Sequence, residues 1–124
     1  MSVSMCRNNE PYIVTLSYGY DSATDSLYSH CSPFGLKLDF IRANPLVCAT
    51  VIEDGGYDYG ECAHNYRTVV FWGTMKIVDN IDEKKHGMTV LLRQLEGEDD
   101  IVKEKLLKSE NFYAKMEIIK LRIE

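Results

Sequence analysis

Hydrophobic and polar residues alternate over the first part of the chain, and this period of two residues is typical of β-strands. The polar cluster Arg7-Asn8-Asn9-Glu10 separates residues 2–6 from residues 11–20, so we predict a β-hairpin there. Strand side chains alternate between two faces, which gives the second arm one bulky face and one small, hydroxylated face. The bulky face carries Tyr12, Val14, Leu16, Tyr18 and Tyr20, and the other carries Ile13, Thr15, Ser17 and Gly19.

A third strand and a short helix are predicted next. Residues 26–31 form the strand, and Ser32 and Pro33 then suit the N-cap and the first position of a helix. The helix should end at Asn44, because the residue before Pro45 disfavours the helical conformation. Its predicted buried stripe consists of Phe34, Leu38 and Ile41.

Two apolar segments follow, separated by a glycine-rich stretch. Residues 46–52 are a continuous run rich in β-branched side chains, as expected for a strand buried on both faces. Residues 55–65 contain three glycines and are predicted to form a loop. Residues 66–78 form a long strand, apolar on both faces, in which Gly73 indicates a bend at the corner of a barrel.

Helical features dominate after this strand. Asn80, followed three residues later by a glutamate, has the spacing of a capping box, and hydrophobic residues keep helical spacing up to Gly97. Residues 99–108 form a second helical candidate. In the last segment the inward face changes between Ile118 and Ile119, which predicts a bulge or a change of neighbour. Together these elements predict a small antiparallel barrel of six strands in the α+β class, with two or three flanking helices.

Length and composition narrow the classes of protein. With 124 residues, of which 45% are hydrophobic, the chain is expected to form a single domain, residues 1–124, without disulfide bonds. Its 14 basic and 19 acidic residues give a net charge of −5, which argues against binding nucleic acid. No apolar run is long enough to span a membrane, and no secretory signal precedes the first strand, so we expect a cytoplasmic protein.

No catalytic or metal-binding set is legible in the sequence. Its four cysteines stand singly, without a C-x-x-C pair or a histidine at zinc-like spacing, so no metal is expected. His30, His64 and His86 fall in different predicted elements, and neither a dinucleotide-binding motif nor a P-loop is present. Catalytic residues are therefore not assigned.

The strongest candidate for ligand binding is the end of the third strand. Ser29, His30, Cys31 and Ser32 lead into the predicted helix, and Lys37 lies one turn further along. Hydroxyl groups, free first-turn amides and a lysine would form a cradle for a phosphate, because helix N-termini favour anions. An ordinary capped helix with a solvated lysine explains the same residues, so both interpretations stay open.

A family resemblance extends over nearly the whole chain. It is carried by residues 11–20, 27–30, 35–45 and 66–69 together with Gly73. Its most specific marker is Gly35-Leu36-Lys37-Leu38-Asp39, followed by Asn44-Pro45. The chain resembles the FMN-binding split β-barrel proteins, which are the relatives of pyridoxamine 5′-phosphate oxidase. It looks most similar to their nitroimidazole-resistance and flavin-nucleotide-binding branch, and this implies that the six-stranded barrel is a split one.

The resemblance also implies a homodimer that holds FMN at the subunit interface. Lys37 would contact the FMN phosphate, helped by Ser29 and Ser32. Residues 14–18 would lie along the isoalloxazine, and His30 and Cys31 would border the ring or the ribityl chain. The implied cofactor-binding set is Val14, Thr15, Leu16, Ser17, Tyr18, Ser29, His30, Cys31, Ser32 and Lys37, with Tyr66, Arg67 and Thr68 of the partner subunit.

The function implied is that of an FMN-dependent oxidoreductase that reduces a small, electron-poor substrate with NADH or NADPH. Thr15 stands where many relatives have proline, and Thr68 replaces their usual serine. Leu36 precedes Lys37 where pyridoxamine phosphate oxidases have a basic pair, so that oxidation is not expected. The alternatives are a flavin carrier or sensor without turnover, a haem-binding split barrel with His30 or His64 as axial ligand, and a dimer with an empty site.

Overall fold

The computed structural model describes residues 1–97 and 110–124, and the helix predicted at residues 99–108 lies outside them. The strands are β1 (Ser2–Arg7), β2 (Glu10–Thr15), β3 (Gly19–Asp21), β4 (Ser26–Cys31), β5 (Leu46–Asp58), β6 (Ala63–Val78) and β7 (Glu117–Ile123). The helices are α1 (Leu36–Ala43), α2 (Ile81–Glu96) and α3 (Glu110–Ala114). The predicted α+β class is confirmed. None of the helices in the described residues has the length and apolar composition needed to cross a membrane.

Two asparagines form the turn of the first hairpin. Asn8 and Asn9 have φ angles of 48° and 64°, in the left-handed region that asparagine adopts more readily than most residues. β1 and β2 pair along their whole length, which confirms the predicted hairpin. The strand predicted at residues 11–20 is divided, however, because residues 16–18 leave the sheet between β2 and β3.

All seven strands form one antiparallel sheet in the order β2-β1-β5-β6-β7-β4-β3. β2 and β3 are consecutive in the chain but lie at opposite edges of this sheet, which would be about 29 Å apart if the sheet were flat. Only residues 16–18 connect them, and the Cα–Cα steps from Thr15 to Gly19 span at most about 15 Å. The sheet must therefore be rolled so that its two edges approach each other.

The rolled sheet stays open between its two edge strands. Backbone pairing of β2 with β3 is absent in the described part of the chain. The predicted six strands are thus corrected to seven, and the sheet is not a closed barrel. The prediction counted residues 11–20 as one strand, whereas the chain uses them for both edges. We call the connection between the edges, residues 16–18, the seam.

The two faces of the sheet pack on separate hydrophobic cores. The inner core lies inside the roll and includes Phe40 of α1 and Leu121 of β7. The second core lies between the other face and α2, and includes Tyr28 of β4. Ile119 belongs to the inner core and Ile118 to the second. β7 pairs with β4 and β6 through this segment without a register shift, so the predicted bulge or change of neighbour is wrong. Both residues are buried because a separate core covers each face of the sheet.

Helix α1 begins later than the sequence predicts. Gly35 is its N-cap, with a φ of 142°, and the Ser32 hydroxyl accepts only a long hydrogen bond of 3.5 Å from the Phe34 amide. Ser32 is therefore not the helix cap, and Phe34 is exposed instead of joining the buried stripe. The predicted end at Asn44 is confirmed. Its side-chain amide donates to the Cys6 carbonyl at 2.9 Å, which ties the helix to β1.

Helix α2 packs closely on the β4–β3 end of the sheet. Asn80 caps it as predicted, since its Oδ1 accepts a hydrogen bond of 3.0 Å from a first-turn amide. Two glycines permit the close approach of helix and sheet. A Cβ at Gly19 would lie 2.6 Å from backbone atoms of Leu91, and a Cβ at Gly87 would lie 2.5 Å from the ring of Tyr28.

The β5–β6 hairpin is longer than the sequence predicts. Residues 55–65, predicted as a loop, belong mostly to the two strands, and the turn between them has four residues. A register shift between Asp54 and Tyr57 accommodates the two adjacent glycines. β6 pairs with β7 only from Gly73 onward, and β5 pairs with β1 only up to Thr50. Residues 51–72 therefore extend beyond the other strands as a two-stranded ribbon, which we call the outer hairpin.

β5 and β6 bury one face of the sheet and leave the other uncovered. Leu46, Val70 and Trp72 are more than half exposed, so the predicted burial on both faces is wrong for the single chain. Gly73 is needed for close strand approach, because a Cβ there would overlap the carbonyl oxygen of Arg122 on β7.

Candidate functional site

The seam is held against the middle of β4. The Ser29 hydroxyl is buried and donates a hydrogen bond of 2.7 Å to the Ser17 carbonyl oxygen. The side chains of Thr15 and Ser17 are exposed. The bulky residues of this segment pack on the inner core, as their alternation predicts: Val14, Leu16 and Tyr18. A ligand at the seam would therefore meet small hydroxylated side chains and main-chain groups.

The N-terminus of α1, which follows β4 closely, has no side-chain cap. Its N-cap residue is Gly35, and none of the described side chains accepts a capping hydrogen bond there. Free first-turn amides and the helix dipole make such a terminus attractive to anions. Lys37 adds an ammonium group within the first turn.

Cys31 and Lys37 are electrostatic neighbours. Burial raises the pKa of the Cys31 thiol, and the positive charge of Lys37 opposes this rise only in part. The thiol is therefore protonated at neutral pH and does not act as a thiolate nucleophile. Lys37, in the first turn of α1, is thus close enough to Cys31 for its charge to act on the thiol.

The structure brings together several of the predicted cofactor-binding residues around β4 and the start of α1. We call this group the β4–α1 site, and it comprises Ser17, Ser29, Cys31, Ser32 and Lys37. Ser29 donates its proton to the seam and can offer a ligand only an acceptor oxygen. His30 is exposed, because it points away from the inner core that Cys31 faces.

Tyr66, Arg67 and Thr68 lie on the outer hairpin, far from the β4–α1 site of the same chain. His30 on β4 and Val78 on β6 both pair with Ile118 on β7, so they lie at the same height along the strands. From Val78 to Thr68 the strand advances by about 33 Å at the usual rise per residue. Within one chain, these three residues do not reach the site.

The outer hairpin has polar contacts of its own. The Arg67 guanidinium pairs with Glu53, with Nε 2.8 Å from Oε2. The hydroxyls of Thr68 and Thr50 are 3.0 Å apart. A hollow of about 320 Å³ on the hairpin is lined by Glu53, Gly55, His64, Asn65, Tyr66 and Arg67.

The sequence analysis missed a histidine–aspartate pair on this hairpin. His64 Nε2 lies 2.8 Å from Asp54 Oδ1, which also accepts from the Gly56 amide at 2.8 Å. The Gly56 amide, and then His64, hold the pKa of Asp54 below its ordinary value. The His64 ring stands edge-on to the rings of Tyr57 and Tyr66, with centroids 6.2 Å apart in both cases. The sequence does contain a signal for this pairing: aromatic residues alternate on both sides of the turn, as Tyr57 and Tyr59 before it and His64 and Tyr66 after it.

Comparison with models of known protein families assigns the chain to a family. The family model described as pyridoxamine 5′-phosphate oxidase matches residues 2–123. The chain belongs to the pyridoxamine 5′-phosphate oxidase family. The predicted resemblance is thereby confirmed. No curated protein matches the chain.

Solved structures share the fold of this family member at low sequence identity. A candidate 5-nitroimidazole antibiotic resistance protein from Bacteroides thetaiotaomicron has a TM-score of 0.79 and 21% identity, over 99% of this chain and 71% of that one. A FAD and haem binding protein from Mycobacterium smegmatis has a TM-score of 0.79 and 19% identity, over 99% of this chain and 60% of that one. A FAD-binding protein from Mesorhizobium loti has a TM-score of 0.69 and 23% identity, over 99% of this chain and 79% of that one.

Proposed function

We propose that this member of the pyridoxamine 5′-phosphate oxidase family binds FMN, with the phosphate at the β4–α1 site. The observation that carries the proposal is the uncapped N-terminus of α1 with Lys37 in its first turn. A phosphate fits such a terminus, because free amides donate hydrogen bonds to it and the lysine supplies the opposite charge. The exposed Ser32 hydroxyl, just before the helix, adds a further donor.

The isoalloxazine would lie along the seam, where Thr15 and Ser17 present small hydroxylated side chains. Val14, Leu16 and Tyr18 would contribute through the main chain, since their side chains pack on the inner core. His30 and Cys31 would border the ring or the ribityl chain. When bound, FMN supplies hydride and electron transfer, and the chain binds it, orients it and limits access of water.

A second copy of the chain would complete this site. About 33 Å of β6 separates the outer hairpin from the β4–α1 site of the same chain. A homodimer removes this separation by contributing Tyr66, Arg67 and Thr68 of the partner subunit. The uncovered face of β5 and β6, with Leu46 and Trp72 more than half exposed, supports such an association.

The reaction we propose is the reduction of a small, electron-poor substrate with NADH or NADPH as electron donor. The similarity in fold to a candidate nitroimidazole resistance protein supports this class of substrate. Such a reaction needs no nucleophile from the chain, in keeping with the protonated Cys31 thiol. Steady-state oxidation of NADH and NADPH with nitroaromatic acceptors tests the proposal. Turnover no faster than that of free FMN would favour a carrier or sensor instead.

Lys37→Ala tests the cofactor site directly. Loss of a charge-assisted hydrogen bond costs about 1.5–3 kcal/mol, so the Kd for FMN should rise roughly 10- to 150-fold. Arg93→Ala is the matched control, because Arg93 is an exposed cation beside Asp21, which pairs with Ser26 at the opposite end of β4 from the site. Flavin fluorescence gives both Kd values, and circular dichroism checks that each variant is folded. An unchanged Kd in Lys37→Ala would overturn the phosphate assignment.

Haem is a second candidate cofactor, and one observation favours it at His30. That imidazole is exposed next to the β4–α1 site, whereas His64 is engaged by Asp54. Neutral imidazole is a common axial ligand of haem. The visible spectrum of the purified protein separates the two cofactors: two flavin bands support FMN, and a Soret band that His30→Ala abolishes supports haem.

A further inference from the structure

One ring nitrogen of the histidine–aspartate pair on the outer hairpin is free to exchange a proton. The lowered pKa of Asp54 keeps its carboxylate ionised at neutral pH, and an ionised carboxylate only accepts hydrogen bonds. The proton of the 2.8 Å contact therefore lies on His64 Nε2. None of the described residues hydrogen-bonds to Nδ1. His64 can thus gain and lose a proton at Nδ1 while its other ring nitrogen stays bound to Asp54.

A hollow on the outer hairpin adjoins this pair. It has a volume of about 380 Å³ and is lined by Ile52, Asp54, His64 and Tyr66. Its walls include an isoleucine and a tyrosine side chain, each more than 60% exposed, and the pair supplies its acid–base groups. The volume falls within the range of about 300–1,000 Å³ that small-molecule pockets have. The hollow therefore suits a small aromatic molecule with a polar substituent that reaches His64.

Among the described residues, Asp54 is the charged group that contacts the His64 ring. The two tyrosines that stand edge-on to the ring are uncharged at neutral pH. Arg67 and Glu53 pair with each other, and they belong to the opposite face of the ribbon because each adjoins in sequence a residue that faces His64. Asp58 accepts a hydrogen bond of 2.8 Å from a side-chain amide on β6. The negative charge of Asp54 therefore acts on His64 most directly.

We propose that His64 of the partner subunit donates a proton to the substrate as it is reduced, with the partner subunit's Asp54 as its positioning residue. The inference rests on the proposed function, in which the outer hairpin of a second copy completes the flavin site. The partner subunit's Tyr66 is assigned to that site. His64 is two residues from Tyr66 on the same face of β6, and their ring centroids are 6.2 Å apart. His30 is the competing acid, but among the described histidines carboxylates hold His64 and His86 and not His30.

The reduction of a nitro group requires such a proton donor. In the two-electron step, R–NO2, NAD(P)H and H⁺ give R–NO, NAD(P)⁺ and H2O. The nicotinamide is oxidised, the nitro group is reduced, and one N–O bond breaks, so that its oxygen leaves as water. Besides the hydride, this water requires one proton. His64 Nδ1 gives that proton to the nitro oxygen, and the neutral imidazole then regains a proton from the solvent. General acid catalysis contributes about 10²- to 10⁴-fold to reaction rates.

His64→Ala tests the proton donor at saturating FMN. We expect kcat with a nitroaromatic substrate to fall about 100-fold, the lower end of that range, because the hairpin is exposed to water. Added imidazole can take the place of the missing ring and donate a proton, so it should restore part of kcat. His86→Ala is the matched control and should retain the wild-type kcat. His86 also contacts an aspartate at 2.8 Å, but it lies on α2 and its partner, Asp21, is at the opposite end of β4 from the site.

Asp54→Asn tests the positioning residue. The wild-type kcat should fall at alkaline pH as His64 loses its proton, and His64→Ala should abolish this dependence. In Asp54→Asn the imidazolium lacks the neighbouring negative charge, so the fall in kcat should begin at lower pH. Ring ¹⁵N NMR spectra of the protein without FMN give a readout that is independent of turnover. They should show the proton of the neutral His64 ring on Nε2, and a proton on Nδ1 would overturn the proposal.

A mixture of two weakly active variants tests the placement of His64 across the subunits. Lys37→Ala and His64→Ala are combined at an FMN concentration that leaves Lys37→Ala mostly unliganded. In the heterodimer, one site joins the intact Lys37 of one chain to the intact His64 of the other, so the mixture should regain activity. If His64 served the site of its own chain, neither site of the heterodimer would be intact. A mixture that stays inactive would therefore overturn this placement.

The outcomes separate this inference from the proposed function. A wild-type protein whose turnover does not exceed that of free FMN overturns the proposed reaction, and this inference with it. A wild type that turns over, together with an unchanged kcat in His64→Ala, overturns only the proton donor. A loss of kcat in His30→Ala that added imidazole restores, without such a loss in His64→Ala, would assign the proton to His30 instead. An alkaline limb that does not move in Asp54→Asn would overturn the role of Asp54.

Discussion

The contact between Gly19 and α2 leads to a quantitative prediction. Gly19 is buried on β3, where a Cβ would lie 2.6 Å from the Cα and the amide nitrogen of Leu91 and from the carbonyl carbon of Val90. These are backbone atoms of a helix, so no side-chain rotation can relieve the overlap. The variant Gly19→Ala can fold only if α2 moves outward by about 1 Å, to reach an ordinary van der Waals separation.

The expected cost follows from this geometry. Overpacking a closely packed contact costs about 1–3 kcal/mol, and a rigid neighbour puts Gly19→Ala at the upper end. Alanine also lowers the conformational entropy of the unfolded chain, which offsets about 0.4–1 kcal/mol of this loss of stability. We therefore expect the free energy of unfolding to fall by about 2 kcal/mol. For a chain of 124 residues this lowers Tm by roughly 6–12 °C.

Urea denaturation measures the change, with the same protein concentration and the same additions for each variant, because any bound molecule shifts apparent stability. Gly87→Ala is the matched comparison. A Cβ at residue 87 would lie 2.5 Å from the Tyr28 ring, and alanine has a helix propensity about 1 kcal/mol better than glycine. The loss of stability should therefore be smaller than in Gly19→Ala. A Gly19→Ala protein within about 0.5 kcal/mol of the wild type, or a larger loss at Gly87, would refute the reasoning.

Two other predictions concern ionisable groups. Lys120, with a smaller effect from Lys76, holds the pKa of Glu83 below its ordinary value of 4.5. The ionised Glu83 therefore stabilises the fold above pH 4.5. This contribution is lost as the pH falls through the lowered pKa. Between pH 6 and pH 3 the wild type should lose more stability than Glu83→Gln, and parallel curves of stability against pH would contradict this. Iodoacetamide should modify the exposed Cys6 and Cys62 well before the buried Cys31, whose raised pKa keeps it protonated. Peptide mass spectrometry gives the three rates, and equal rates would show that Cys31 is accessible.

Local signals predicted most of the secondary structure. Asn8 and Asn9 tolerate the left-handed conformation of a tight turn, and Asn80 accepts the capping hydrogen bond of α2. Asn44 ends α1 as its position before proline requires. Each of these features depends on residues within one or two turns of the chain, so the sequence contains what is needed to predict them.

The errors arose where distant parts of the chain decide the outcome. Alternation continues through residues 16–18, so nothing local shows that the strand stops there. The break follows from the sheet order, which puts β2 and β3 at opposite edges. The glycines of residues 55–65 predicted a loop, but a register shift and a four-residue turn absorb them within a paired hairpin.

The candidate site was predicted in part. Lys37 and Ser32 were chosen from their place at a predicted helix start. The structure puts Lys37 in the first turn of α1, whereas Ser32 lies before the Gly35 cap. The role of Ser29 in holding the seam depends on its hydrogen bond to the carbonyl oxygen of Ser17 in the seam, which spacing along the chain does not reveal. The apolar pattern of β6 predicted burial on both faces, and a single chain supplies only one of them.

The position of β7 has a consequence for how the chain folds. β7 lies between β6 and β4, and among the strands of residues 1–97 and 110–124 it alone joins the β2-β1-β5-β6 part of the sheet to the β4-β3 part. Its pairing with β4 closes a loop of about 90 residues, and contacts so distant in sequence slow folding because the loop entropy is lost before the contact is gained. A nascent chain that has not yet emerged as far as Glu117–Ile123 would carry two unjoined pieces of sheet, with the edges of β6 and β4 both unpaired. Until β7 pairs with them, those two edges are open to pairing with strands of other chains.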